Sequence, residues 1–501
     1  MSTNAQIPGQ FIKLRELNLQ LTVVALPPEL LGRIFLECID RRAAGPFNHL
    51  FSVVETRNTR TSIASVCYRW RQVALATRPL WAVTSFPRLI ASLGSESNKR
   101  ADPYNIPPET YESFHHELEL SGEAPLSLLA RIVVYKLATP SVISALEHEL
   151  CTALSPVIPR CDTISLEALG SLPFDILENT LNSQALVKSL DFSSWGWGSH
   201  GEGRYLDLSH AGFLEHLSID LSARSSCYEM PVGKPIVADP TILQTLKICG
   251  YVDPVAAYEI ISRAVSLRSL VWESSTAFTE FTVSPQEVSM PLLRHLSLND
   301  VQSLSLLPYL DAPRLVSVTL ELKVEYPDEP IEPLPFPKSL PHLRFLDLHS
   351  AEYASFAILP GLLSEFRALE ILGLRGVMSE ELVAACTAAI KLRLVGVTWA
   401  PNEPNGLLGA QTLLQCWSRR AQSGEVPLLS RGVYFVYGDP GRRKKPPTPA
   451  DESTFGDEIV AISQGVKPGL CWESPFRWWQ LEDWDNLVAK IDADPSYLPA
   501  F

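Results

Sequence analysis

"LRHLSL" occupies residues 293–298, and the same phrase, L-x-x-L-x-L, recurs on both sides of it. Upstream stand "VKSLDF" (187–192), "LEHLSI" (214–219), "LQTLKI" (243–248) and "LRSLVW" (267–272). Downstream stand "LVSVTL" (315–320), "LRFLDL" (343–348) and "LEILGL" (369–374), with "CDTISLEAL" (161–169) and "AIKLRLVGV" (389–397) as weaker copies at the two ends. Successive phrases are about 22 to 29 residues apart, a period that stacks one structural unit on the next. The alternation at the end of each phrase turns one side of a short strand inward. Stacked strands of this kind predict a parallel sheet with an inner row of leucines.

Between the phrases the spacing changes. In "DPVAAYEIISRAV" (253–265), Val255, Tyr258, Ile261 and Val265 fall at helical intervals, and "FAILPGLLSEF" (356–366) is similar though broken by Pro360. Strand, loop, helix, loop is the unit of a curved solenoid. The pattern resembles the leucine-rich repeat, in an irregular version: the Asn or Cys three places after the last leucine is replaced by Tyr251, Val301, Ala351 and Val377. The fold class expected is α/β, a curved parallel sheet with outer helices over residues 161–400. Between the leucines, Lys188, Glu215, His216, Gln244, Arg268, Arg294, His295, Arg344 and Glu370 reach toward the concave face, where a solenoid usually holds its partner.

A different pattern precedes the repeats. In "ALPPELLGRIFLECID" (25–40), Pro27 and Pro28 suit a helix start, and Glu29 sits near the positive end of the helix dipole. Leu30 and Ile34 stack at i,i+4, as do Leu31 and Phe35, and Cys38 and Ile39 continue the apolar stripe. So short a helix is marginal alone and needs company. After the stretch 41–60 comes "TSIASVCYRWRQVALATRPLWAVTSF" (61–86), in which Ile63, Val66, Trp70, Val73 and Ala74 follow helical spacing and Pro79 closes the segment before Leu80 and Trp81. The stretch 41–60 leaves the helix boundary near Thr61 open.

"LPPELLGRIF", "VCYRWRQVAL" and "PLW", in that order, resemble the F-box, and most closely the version found in large families of fungal F-box proteins. "HELELSGEAPLSLL" (116–129) resembles the segment that follows it there. The resemblance implies a three-helix module over residues 25–85 that docks on a Skp-family adaptor and, through it, on a cullin–RING ubiquitin ligase. It assigns adaptor contact to Leu26, Pro27, Leu30, Leu31, Ile34, Phe35, Val66, Trp70 and Leu80, some of which also serve to hold the helices together. The function implied is that of the substrate-recognition subunit of a Skp–cullin–F-box ligase, a non-catalytic adaptor with a protein substrate on its repeats. The alternative is an F-box and leucine-rich-repeat scaffold that binds the adaptor without ubiquitination.

The remaining residues divide into an extension (1–24), a connecting region with the first solenoid elements (86–160) and a C-terminal cap (401–501). "EYPDEPIEPLPFPKSLP" (325–341) reads as an acidic, proline-rich loop, and 437–458 as a second breaker-rich stretch whose "RRKK" is a solvated linker or a nuclear signal. Trp472, Phe476, Trp478, Trp479 and Trp484 crowd the tail, as a cap on the last repeat or a substrate contact.

Several function classes are disfavoured. A net charge of -14 opposes phosphate neutralisation, so nucleic acid is not an expected partner. The sequence holds no apolar run long enough for a membrane helix, and its first residues lack the layout of a signal peptide. Nine scattered cysteines without a C-x-x-C pair make neither a disulfide framework nor a zinc site and fit free thiols in an intracellular protein, cytoplasmic or nuclear. "GWGSHG" (196–201) matches a phosphate-loop pattern but opens no helix, and no nucleophile elbow, zinc helix or P-loop occurs. No catalytic residue, metal ligand or cofactor is expected.

Overall fold

The computed structural model describes residues 26–39, 49–86, 89–91, 108–134, 152–169, 187–195, 205–209, 211–221, 234–237, 239–250, 252–274, 287–299, 303, 306–322, 340–350, 366, 368–369, 371–375, 394–399, 433–437 and 469–471. The chain divides into two compact units, Met1–Asp239 and Pro240–Phe501. Each is mixed α/β, with strands paired in parallel.

The described residues of the first unit open with three helices: α1 (Pro28–Cys38), α2 (His49–Val66) and α3 (Tyr68–Ala76). Pro27 holds an extended backbone, and its carbonyl accepts from the N–H groups of Leu30 and Leu31, both at 3.0 Å. Pro28 then occupies the first helical position, where a missing N–H costs nothing. α2 runs back to His49, well upstream of Thr61, so much of the stretch 41–60 is helix. The spacing from Ile63 to Ala74 reads as one continuous segment, and here the structure differs. Cys67 is extended, and its sulfur caps α3 by accepting from the Trp70 N–H at 3.5 Å. A non-helical residue ends one helix and starts the next, which redirects the chain. Both helices thereby deliver apolar residues to one core. Leu31 and Phe35 of α1, with Ile39 just after it, pack with Ile63, Val73, Ala74 and Leu80, and Leu80 lies in the 3-10 turn Arg78–Trp81. The Phe35 and Trp70 rings lie 5.0 Å apart. Gly32 lets α1 close on the end of α3, since a Cβ there would lie 3.1 Å from Thr77 Oγ1.

β1 (Val83–Ser85), β2 (Leu89–Ala91), α4 (Pro108–Ser121), β3 (Leu126–Val134), β4 (Cys161–Leu169), β5 (Ser189–Trp195), β6 (Tyr205–Leu208), β7 (His216–Leu221) and β8 (Lys234–Val237) follow. β1, β3, β4, β5 and β7 are parallel neighbours in that order, β2 also pairs with β3, and β6 with β8. Gly122, at φ +55°, ends α4 in the left-handed conformation that glycine tolerates best.

The second unit contains β9 (Thr245–Gly250), α5 (Pro254–Arg263), β10 (Ser269–Ser274), β11 (Val288–Ser289), β12 (His295–Asn299), β13 (Leu310–Asp311), β14 (Ser317–Leu322), β15 (Phe345–Ser350), β16 (Ile371–Arg375), β17 (Leu394–Trp399), β18 (Val433–Tyr437) and β19 (Gly469–Cys471). Two apolar ladders cross its sheet in register. One is Leu246, Leu270, Leu296, Val318, Leu346, Leu372 and Val395; the other is Ile248, Trp272, Leu298, Leu320, Leu348, Leu374 and Val397. They are the fourth and sixth positions of the phrase, as its alternation predicts. β18, an aromatic and β-branched run, and β19 extend the parallel pairing into the stretch expected to be a cap, where no leucine phrase stands.

The start of each phrase is built the same way. The first leucine donates its N–H three residues back, from Leu214 to Ala211, Leu243 to Pro240, Leu267 to Ala264, Leu293 to Met290, Leu315 to Ala312, Leu343 to Leu340 and Leu369 to Phe366. These leucines are all buried. The next carbonyl then accepts from two successive N–H groups of the following unit: Lys188 from Glu215 and His216, Gln244 from Arg268 and Ser269, and Arg268 from Arg294 and His295. Arg294 and Val316 repeat the pattern.

α5 forms where expected, capped by Asp253 Oδ1 on the Val255 N–H at 3.0 Å. Its buried face is Ala257, Tyr258, Ile260 and Ile261, while Val265 lies beyond the helix end and is exposed. Elsewhere the described connections include short outer strands, β6 with β8 and β11 with β13, and 3-10 turns at Pro240–Ile242 and Leu307–Tyr309. The 356–366 segment, apart from Phe366, lies outside the described residues, as do the 437–458 loop beyond Tyr437, the Trp-rich tail, "GWGSHG" and most of 325–341.

Candidate functional site

The helical module has an apolar surface that its own core does not use. Leu31, Phe35 and Leu80 are fully buried and hold the three helices together, so they have no surface to offer a partner. Leu30 and Ile34, one turn apart, remain 46% and 41% exposed. At the corner between α2 and α3, Val66 is 54% and Tyr68 62% exposed. Pro27 is exposed, and Leu26 and Trp70 are half-buried against the core. Arg69 fastens the start of α3 to that of α1 by donating to the Leu26 carbonyl at 2.7 Å. The implied contact set therefore separates into three buried residues, the half-buried Leu26 and Trp70, and an exposed half of Pro27, Leu30, Ile34 and Val66. Tyr68 belongs with the exposed half and carries no periodic signal, because the break at Cys67 alone places it there.

Behind the helices lies a charged network that no motif announces. Arg60 is 2% exposed. Its guanidinium lies 3.2 Å from Glu117 Oε1, donates to the Val83 carbonyl at 2.9 Å and stacks 5.0 Å from the Trp81 ring. Arg57 donates to the same carboxylate oxygen at 2.9 Å, and the Thr84 hydroxyl donates to Glu117 Oε2 at 2.7 Å. Burial lowers the pKa of Arg60, opposed by the charge of Glu117. One carboxylate thus ties α2, β1 and α4 together. The residues are far apart in sequence, and Arg60 falls where the phrase spacing offers no helix.

In the sheets, Lys188, Arg268 and Arg294 stand exposed just before their strands, and Glu215, His216, Gln244, His295 and Arg344 are partly buried. Glu370 lies outside the described residues. Ser269, His295, Ser297, Ser317 and Thr319 line a shallow depression on β10, β12 and β14. Burial, with a smaller contribution from Arg294, pushes the His295 imidazole down to about 4, so the ring is neutral at pH 7. Cys161 is buried and its thiol is pushed up to about 12, first by burial and then by Asp162, which makes it inert. Among the described residues no three His, Cys, Asp or Glu side chains gather as a metal site, and no helix is long and apolar enough to cross a membrane.

No family model matches the chain, and no curated protein is significantly similar to it.

Proposed function

We propose that the chain is the substrate-recognition subunit of a Skp–cullin–F-box ubiquitin ligase, its N-terminal helices docking the Skp-family adaptor and its leucine-rich repeats holding a protein substrate. The carrying observation is the apolar pair Leu30 and Ile34, left exposed on a proline-started helix whose other face is packed. Fully burying such a side chain stabilises an interface by about 1.5–3 kcal/mol. Val66 and Tyr68 supply further apolar and aromatic anchors. The in-register ladders supply a rigid frame for a partner surface, as in solenoids. Chemistry in this reading belongs to the rest of the ligase; the chain raises the effective concentration of a substrate near it. A scaffold that binds the adaptor without ubiquitination is the second reading, since the same exposed surface serves both.

The test is capture of a purified Skp-family adaptor by the full chain. Exchanging Leu30→Ser and Ile34→Ser removes the exposed pair and leaves the buried cluster of Leu31, Phe35 and Leu80 in place. Capture is expected to be lost while the unfolding midpoint stays unchanged; undiminished capture sinks the assignment. Ubiquitin chains on a co-captured protein in the reconstituted ligase separate receptor from scaffold.

A further inference from the structure

The repeats place two arginines side by side. Ser269 pairs with His295, so Arg268 and Arg294 directly precede neighbouring positions on adjacent strands, roughly 4.8 Å apart along the hydrogen-bonding direction. Both are exposed, and neither forms an ion pair among the described residues, although the chain carries 56 acidic residues. Adjacent like charges of this kind destabilise a sheet unless something of opposite sign lies between them. Each arginine directly precedes a residue that lines the depression, Ser269 in one strand and His295 in the next. Guanidinium groups only donate. The group that complements this set is acceptor-only and anionic.

We infer that the N-terminal ends of β10 and β12 take an acidic segment of a partner protein, with side-chain carboxylates seated on Arg268 and Arg294. The inference rests on reading the sheet as the substrate surface, and it names the chemistry that surface selects. Arginine and carboxylate form paired, parallel hydrogen bonds, which gives orientation as well as attraction.

The full chain is titrated into fluorescein-labelled decaglutamate, decaglutamine and oligouridylate, followed by anisotropy at low and high salt. Decaglutamate is expected to bind best, with affinity falling as salt rises. Arg268→Glu combined with Arg294→Glu is expected to weaken it about tenfold or more. Arg268→Gln with Arg294→Gln repeats the measurement without adding negative charge, in case the reversal unfolds the sheet. Arg263→Glu, on α5, is expected to leave binding unchanged. Equal binding of decaglutamate and decaglutamine overturns the inference, as does an equal loss from Arg263→Glu or tighter binding of oligouridylate. Adaptor capture is measured on the same proteins. Retained capture with lost decaglutamate binding supports the inference; absence of capture by the unaltered chain overturns the ligase reading alone and leaves the peptide result standing.

Discussion

His295 is held neutral by its surroundings. In an unfolded chain a histidine titrates near 6.5, whereas here burial and Arg294 bring it to about 4. Between those values the unfolded state binds more protons, so stability is lost as pH falls through 6.5 and levels off below about 4. The slope from this one group approaches about 1.4 kcal/mol per pH unit. His295→Gln is expected to flatten the acid limb of the stability curve, read by urea unfolding across that range; an unchanged slope contradicts the buried, neutral ring. Gly122 is a second single-residue determinant. At φ +55° an added Cβ meets Arg78 Cδ at 2.9 Å. Gly122→Ala is expected to lower stability by about 1–2 kcal/mol, because the left-handed conformation is strained for other residues.

At the scale of elements, the two faces of α1 behave differently. Phe35→Ala opens a cavity against Trp70 and is expected to cost about 3–5 kcal/mol in chemical denaturation. The Leu30 and Ile34 exchange on the exposed side is expected to leave the midpoint within experimental scatter. Periodicity made both stripes of α1 readable but gave no means of telling them apart, since Leu31 and Leu30 are the same residue type one position apart. α2, β1 and α4 are joined through Glu117. Glu117→Ala leaves Arg60 buried with its charge unpaired, an expected loss of about 3–5 kcal/mol. Replacing Arg60 and Glu117 together by methionine is expected to recover much of it, as apolar substitutes often do for buried ion pairs. A double variant as unstable as the single one contradicts this account. None of it was legible from spacing, because an ion pair across about sixty positions has no local pattern.

At the scale of the whole molecule, the leucine phrase is repeated in both units with the same local wiring. Three of the seven turns before a first leucine carry a sequence signal, proline one place after the acceptor in "MPLL", "APRL" and "LPHL", which suits the second position of a type I turn. Leu296 lies in register between Leu270 and Val318, and all three are buried. Leu296→Ala, with a neighbour on either side in register, is therefore expected to cost about 2–5 kcal/mol. Hydrogen exchange slowed in β10, β12 and β14 together, and accelerated together by that exchange, is the expected sign of shared stability; acceleration confined to β12 contradicts it.

The sequence by itself determined where the strands of the leucine phrases lie, which alternation they follow, and that α1 starts at its prolines. These are local matters: a period of two, a helical stripe and a proline act over a few residues. Tertiary structure decided the rest. It set the break at Cys67, the partner of Arg60, the exposure of Leu30 and Ile34, the side-by-side arginines 268 and 294, and the extension of the sheet through β18 and β19. Burial and charge pairing sum over neighbours brought together only by the fold, so the same leucine or arginine acquires its role from what packs beside it.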